Sequence, residues 1–191
     1  MDLIVERMRA AGCEEIRVVT RREKADVVTH AAELGAVVIE GRPPSPADSL
    51  LLGLEGLAGD TVVLFGYPDS IWEPVEGFRA LARSVASGWE AALGLFRSCG
   101  VDRPDVVTLD GAGRVRGIDV GSAREPPQLF WGCVAARARA LRGVRDHEDP
   151  GDHLAALCAH VPVAGVFLSE TYLDIGTPRG LREALGPGVA A

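Results

Sequence analysis

Thr61-Val62-Val63-Leu64-Phe65 followed by Gly66-Tyr67-Pro68-Asp69 is the stretch whose reading decides the fold. An uninterrupted apolar run of strand length, without polar alternation, is the pattern of a strand buried on both faces, as in a parallel sheet. Working outward, Glu15 to Thr20 and Ala36 to Ile39 read as two shorter strands upstream. Each follows a segment with near-helical apolar spacing: Leu3 to Ala11, closed by Gly12, and Glu23 to Leu34, closed by Gly35. A third helix, Asp48 to Leu57, starts just after Pro46 and leads into the central run. Glycine just past a helical pattern is a stop signal, and helix–strand alternation with short connections predicts a parallel sheet with right-handed crossovers. Downstream, the pattern predicts a helix over Pro74 to Ala86 and a strand over Ala91 to Phe96. A hairpin of Asp105 to Leu109 and Arg114 to Asp119 turns at Gly111-Ala112-Gly113. The rest reads as strands at Leu129 to Val134 and Val163 to Leu168, with helices at Ala136 to Leu141, Asp152 to His160 and Pro178 to Leu185. The expected class is α/β with a mostly parallel sheet, in a single domain over 1–191.

Composition narrows the function. A chain of 191 residues, 47% hydrophobic and 25% charged, has the profile of an ordinary globular domain. No apolar run approaches the roughly 18 residues of a membrane span. Met1-Asp2-Leu3-Ile4-Val5-Glu6 places acids where a signal peptide carries bases, so a cytoplasmic protein is expected. The net charge of −7 argues against a broad nucleic-acid face, which needs clustered Lys and Arg. It is compatible with one bound nucleotide, whose phosphates backbone N–H groups, a few bases and a metal can meet. Lys24 is the single lysine among 20 basic residues, so chemistry that calls for a lysine has one candidate. The four cysteines, Cys13, Cys99, Cys133 and Cys158, are widely spaced and read as reduced thiols.

Three segments carry candidate chemistry. Asp69 follows directly on the central strand, and ligands of open α/β sheets sit beyond the carboxyl ends of strands. Gly66, Pro68 and Asp69 are equally good turn formers, so position alone leaves both readings open. In Tyr172-Leu173-Asp174-Ile175-Gly176-Thr177-Pro178, Thr177 and Pro178 suit a helix start, which leaves Asp174 unexplained. Two acids delivered to one pocket by distant segments suit Mg²⁺, which takes one or two carboxylates and completes its shell with water and phosphate. Pro43-Pro44-Ser45-Pro46-Ala47-Asp48-Ser49 precedes a helix whose N-terminal N–H groups could meet a nucleotide; taken alone, the segment reads better as a prolyl loop capped by Ser45 or Asp48. His147, Glu148, Asp149, Asp152, His153, Cys158 and His160 do not share one helix face and read as an acidic, solvated loop rather than a zinc site.

In order and spacing, these segments resemble the sugar-1-phosphate nucleotidyltransferases of the glucose-1-phosphate thymidylyltransferase type, over nearly the whole chain. Glu6 to Gly12 followed by Ile16 to Thr20 resembles the helix and second strand of that fold, and Leu64 to Asp69 its metal-binding segment. Leu93 to Phe96 is similar to the strand that follows, Arg114 to Asp119 to the hairpin before the sugar site, and Trp131-Gly132 to a strand lining that site. Tyr172 to Pro178 is the most specific match. The resemblance implies a three-layer, Rossmann-like sheet and Mg²⁺-dependent transfer of a nucleotidyl group from a nucleoside triphosphate to a sugar 1-phosphate, with release of pyrophosphate. Thymidine triphosphate and glucose 1-phosphate are the substrates it suggests. It implies metal ligation and catalysis by Asp69 and Asp174, nucleotide contact at Ser45, Ser49 and Gly66, and sugar contact at Trp131 and Gly132.

The chain departs from the family pattern in two places. The family opens with a first strand and a glycine-rich loop whose Arg and, farther on, Lys grip the triphosphate; Met1-Asp2-Leu3 begins after that region. A sugar-site lysine expected near Gly121-Ser122 is also absent. The missing strand lies inside the sheet of the family fold, so a neighbouring strand is expected to carry an unshared edge, which favours association with further copies. A start assigned too far downstream, a paralogue that has lost the loop, or a shortened piece would each account for the departure. Two functions therefore stay open: an enzyme inactive over these residues alone, and a non-catalytic module that binds a sugar nucleotide.

Overall fold

The computed structural model describes residues 1–97, 103–123 and 128–186. In chain order the first half contains α1 (Asp2–Ala10), β1 (Arg17–Thr20), α2 (Ala25–Glu33), β2 (Val37–Glu40), α3 (Pro46–Gly53), β3 (Val62–Gly66), β4 (Ser70–Trp72) and α4 (Gly77–Ala86). The second half contains β5 (Ala91–Arg97), β6 (Val106–Leu109), β7 (Val115–Asp119), β8 (Leu129–Arg137), α5 (Ala138–Leu141), a 3₁₀ helix (Arg142–Asp146), α6 (Pro150–His160), β9 (Val163–Ser169), β10 (Tyr172–Asp174) and α7 (Pro178–Leu185).

The layers follow from side chains alternating across β5 and β8. Leu93, Leu95, Trp131 and Val134 form a core on one face with Leu50 and Leu54 from the α3 region and Leu154 of α6. Ala92, Phe96, Phe130 and Cys133 face the other way, onto Phe78, Leu81 and Val85 of α4 and Ile4 of α1. Helices thus cover both faces of the sheet, giving the expected α/β three-layer arrangement.

Within that class the pairing is mixed rather than mostly parallel. The main sheet has the order β7-β6-β8-β5-β9, with β3 also paired to β8. β3 and β5 both run antiparallel to β8, and β5 runs parallel to β9. The strands β3, β5 and β9 keep one direction, while β8 lies reversed between β3 and β5 and the β6–β7 hairpin adds a further antiparallel pair. An apolar run does not give direction, because a strand covered on both faces looks alike in either sense. β3, expected to be buried on both faces, is only half-buried, with Val62 at its start exposed because one of its edges has no partner among the described strands.

The expected unshared edge is present. β1 and β2 pair in parallel, Arg17 with Val37 through Thr20 with Glu40, as a two-stranded sheet of their own. Among the described strands β3 pairs with β8 alone, and Val62 at its start is 42% exposed. The β1–β2 sheet is held through α3: the Arg17 guanidinium donates to the carbonyl oxygens of Gly53 (3.0 Å) and Glu55 (2.7 Å).

Several boundaries moved for local reasons. α3 starts at Pro46 rather than Asp48, because Ser45 caps it: its Oγ accepts the Asp48 N–H at 3.0 Å and Pro46 takes the first turn. β8 runs on to Arg137 because β3 and β5 pair with its C-terminal half from both sides. Cys13, Cys133 and Cys158 are free thiols, and Cys99 lies outside the described residues.

Candidate functional site

Two short strands bring the separated acids together. β4 and β10 pair antiparallel, with Asp174 opposite Ser70, and the Ile175 N–H donates to the Asp69 carbonyl at 2.8 Å. Asp69 immediately precedes β4 and Asp174 ends β10, so this pairing sets the two residues side by side. A β-carbon built on Gly176 would stand 2.6 Å from Asp69 Oδ2 and 3.1 Å from Asp174 Oδ1. Both carboxylate oxygens therefore border the same space in front of Gly176. Glycine is required between them, since a side chain there would occupy the space between the carboxylates. Gly176 N–H also donates to Asp174 Oδ1 at 2.9 Å, fixing that carboxylate. Thr177 caps α7 by accepting the Gly180 N–H at 3.0 Å and donates to the Asp174 carbonyl at 3.1 Å.

Both carboxylates open into a cleft of about 450 Å³. Tyr67, Trp131 and Tyr172 give it aromatic walls, and Asp105, Asp149 and Arg103 add charge. The Tyr67 and Trp131 rings lie 6.2 Å apart, and Tyr172 packs 5.0 Å from both Phe96 and Phe130. Burial pushes the phenols of Tyr67 and Tyr172 well above their ordinary value, so both stay protonated donors at neutral pH. The half-buried Asp105 accepts the Gly121 N–H on Oδ1 at 2.9 Å and the Trp131 indole N–H on Oδ2 at 3.0 Å. Burial raises its pKa, and those two hydrogen bonds oppose the rise.

No family model and no curated protein matches the chain by sequence. Solved structures do match. A chain from Bacillus anthracis assigned as a glucose-1-phosphate thymidylyltransferase, in complex with a sucrose, superposes with a TM-score of 0.76 at 15% identity, covering 98% of this chain and 82% of that one. A UDP-glucose pyrophosphorylase from Acinetobacter baumannii gives 0.77 at 17% identity, covering 98% and 83%. A UTP-bound UGPase from Acinetobacter baumannii gives 0.74 at 16% identity, covering 96% and 80%. The fold is that of the sugar-1-phosphate nucleotidyltransferases. At these identities the likeness concerns the path of the chain, and the residues of the cleft stand on their own geometry.

Of the residues singled out from the sequence, the nucleotidyltransferase fold gathers four: Asp69, Asp174, Trp131 and Gly132 all line the one cleft. A β-carbon on Gly132 would overlap Tyr172 Cε2 and stand 2.9 Å from Phe96 Cε2, so a glycine here lets the Tyr172 ring close over β8. Gly66, Ser45 and Ser49 are not among the residues that line it. The Cα of Gly66 faces the core, where a β-carbon would meet Ile4 at 2.8 Å and Phe78 at 3.3 Å. Ser45 and Ser49 are occupied locally: Ser45 Oγ donates to Asp48 Oδ2 at 2.6 Å and Ser49 Oγ to the Ser45 carbonyl at 3.1 Å. Capping accounts for Ser45, while Ser49 bonds back within its own helix. Ser45→Ala is expected to lower stability by about 1 kcal/mol, read from the urea midpoint.

Asp105, Asp149 and Arg103 went unrecognised in the sequence. Asp105 opens an ordinary-looking hairpin strand, and no local pattern marks the indole it will meet. Asp149 stood in a segment read as a solvated loop, but it caps α6, accepting the Gly151 N–H at 2.8 Å. In the same helix His153 is 5% exposed, with Nε2 2.7 Å from the Ala140 carbonyl. Among the described residues no group of three or more His, Cys, Asp or Glu side chains gathers as a metal-ligand set.

Proposed function

We propose that this cleft binds a nucleoside triphosphate and a sugar 1-phosphate around one divalent cation held by Asp69 and Asp174. The supporting observation is their convergence on Gly176 inside an aromatic-walled cleft of the nucleotidyltransferase fold. Two carboxylates with no third protein ligand suit Mg²⁺, which keeps room for water and phosphate oxygens. When bound, such an ion would neutralise charge on the α-phosphate and the attacking sugar phosphate. In the transfer, a phosphate oxygen of the sugar 1-phosphate bonds to the α-phosphorus, the bond to the β-phosphate oxygen breaks, and pyrophosphate leaves. The chain's own residues supply orientation. Gly176 N–H and the β4–β10 pairing hold the carboxylates, Asp105 fixes the Trp131 ring, and Tyr67, Trp131 and Tyr172 offer apolar surface to a sugar or base. Thymidine triphosphate and glucose 1-phosphate are the proposed pair, and Mg²⁺ the proposed cofactor.

The scarcity of basic side chains around the cleft, where Arg103 alone lines it among the described residues, favours a second reading: a module that binds sugar nucleotides without turning them over. Lys24, the single lysine, precedes α2 and does not line the cleft. Titration of the chain with thymidine triphosphate, with and without Mg²⁺, tests the shared core of both readings. Binding that strengthens with Mg²⁺, with no pyrophosphate released on adding glucose 1-phosphate, is the expected result. Affinity indifferent to Mg²⁺ would remove the basis for a shared metal site, and steady pyrophosphate release would remove the module reading.

A further inference from the structure

Of the described Arg, Lys, Asp and Glu residues, Arg7 of α1 is the one that is buried, its side chain 3% exposed. The guanidinium lies over the Trp72 ring, 4.8 Å from its centroid. Nη2 donates to the Trp72 carbonyl and Nη1 to the Leu3 carbonyl at 3.0 Å, while Nε is buried without a partner. Glu73 Oε1 stands 3.6 Å from Nη2, but the Glu73 side chain is largely in solvent, where an ion pair contributes little. A guanidinium removed from water with one donor unpaired is destabilising, and an apolar side chain would fill the same place at a lower desolvation cost. What an apolar side chain does not supply is a donor for the Trp72 carbonyl.

β4 depends on such support. It has three residues and pairs with β10 alone among the described strands, and a two-stranded ribbon is marginal by itself. Trp72 stands opposite Tyr172 at one end of the ribbon and Ser70 opposite Asp174 at the other, with Asp69 immediately before Ser70. A slip of one residue along the ribbon would carry Asp69 away from its place beside Asp174. Ser70 Oγ donates to the Tyr67 carbonyl at 2.8 Å and holds the near end; Arg7 holds the far end. The helix that carries Arg7 is itself seated in the core, through Ile4 packed with Phe78.

We propose that Arg7 is a positioning residue that holds β4 in register from the α1 side and so keeps Asp69 beside Asp174 for a divalent cation. The inference rests on the metal site proposed above. Charge and position act here in opposite senses. As a positive charge alone, Arg7 repels a divalent cation, so its removal would tighten metal binding. Acting through the backbone of β4, its removal weakens metal binding.

Mn²⁺ titrations followed by electron paramagnetic resonance, made well below each variant's melting temperature, separate the two. Arg7→Met is expected to weaken Mn²⁺ binding by about 10-fold, the lower end of the loss seen for partners behind metal ligands. Arg7→Lys keeps the charge and one donor and should fall between Arg7→Met and the parent chain. Glu73→Gln should stay within about twofold of the parent. Unchanged or tighter binding in folded Arg7→Met overturns the proposal whatever its melting temperature, because a purely structural or electrostatic role gives that result. Where Arg7→Met does not fold, Arg7→Lys decides: weakened binding supports the proposal and parent-like binding overturns it. A loss in Glu73→Gln as large as in Arg7→Met overturns the route through the β4 backbone. Each of these leaves the proposed function standing, whereas a parent chain that binds no Mn²⁺ overturns the metal site and this inference together.

Discussion

Asp174→Asn is expected to reduce Mg²⁺-dependent binding of thymidine triphosphate by about 100-fold or more while leaving the fold intact. Asp174 Oδ1 already accepts the Gly176 N–H at 2.9 Å, and the amide oxygen of asparagine can accept the same bond. Shape and local hydrogen bonding are therefore kept while one of two negative charges is lost. Loss of a partner outside the ligand shell already costs metal sites about 10- to 100-fold in affinity, and losing a ligating charge should cost at least as much. Mn²⁺ binding followed by electron paramagnetic resonance reads the metal directly, and a melting curve checks the fold. If Asp174→Asn binds Mn²⁺ and nucleotide as the parent chain does, the carboxylate pair is not a metal site.

Gly180→Ala should be among the most damaging single substitutions in the chain, by a different route. A β-carbon at Gly180 would overlap the carbonyl oxygen of Asp174 and stand 2.7 Å from its carbonyl carbon. Neither atom can swing aside as a side chain does, so either the start of α7 opens or the end of β10 shifts. Overpacking against movable side chains costs about 1–3 kcal/mol, and against backbone the cost should reach about 3 kcal/mol or more. Because Thr177 Oγ1 joins the Asp174 carbonyl to the Gly180 N–H, the displacement also carries Asp174 away from Asp69. Urea denaturation and Mn²⁺ titration should report loss of stability and loss of metal affinity together. Near-normal values for both would show that α7 is not packed on β10 as described.

The two glycine positions near Asp174 show how reading a sequence and seeing a structure differ. Gly176 and Gly180 are plain in the sequence, and Gly-Thr-Pro at 176–178 signals a helix start without further information. That Gly176 separates two carboxylates depends on Asp69, more than a hundred positions away, arriving opposite through β4. β4 is a three-residue strand following a Pro-Asp turn, too short to show a period, and nothing local predicts its partner. Asp69 and Asp174 could still be found, because each sits in a recognisable local string. Arg103, Asp105 and Asp149 could not, because their roles depend on which N–H or cleft wall lies opposite.

The strand ending at Gly66 is half-buried rather than buried as its apolar run suggests. The sequence by itself determined the order of the longer helices and strands, though not the short β4 and β10, and the helix stops at Gly12 and Gly35, both observed at positive φ. Those features depend on burial period and backbone freedom, which are properties of neighbouring residues. Tertiary structure alone decided the reversed insertion of β8, the separation of β1 and β2 from the main sheet, and the joining of Asp69 to Asp174. Strand direction and long-range pairing follow from which edges remain available once the helices have covered both faces, and no local stretch of residues encodes that competition.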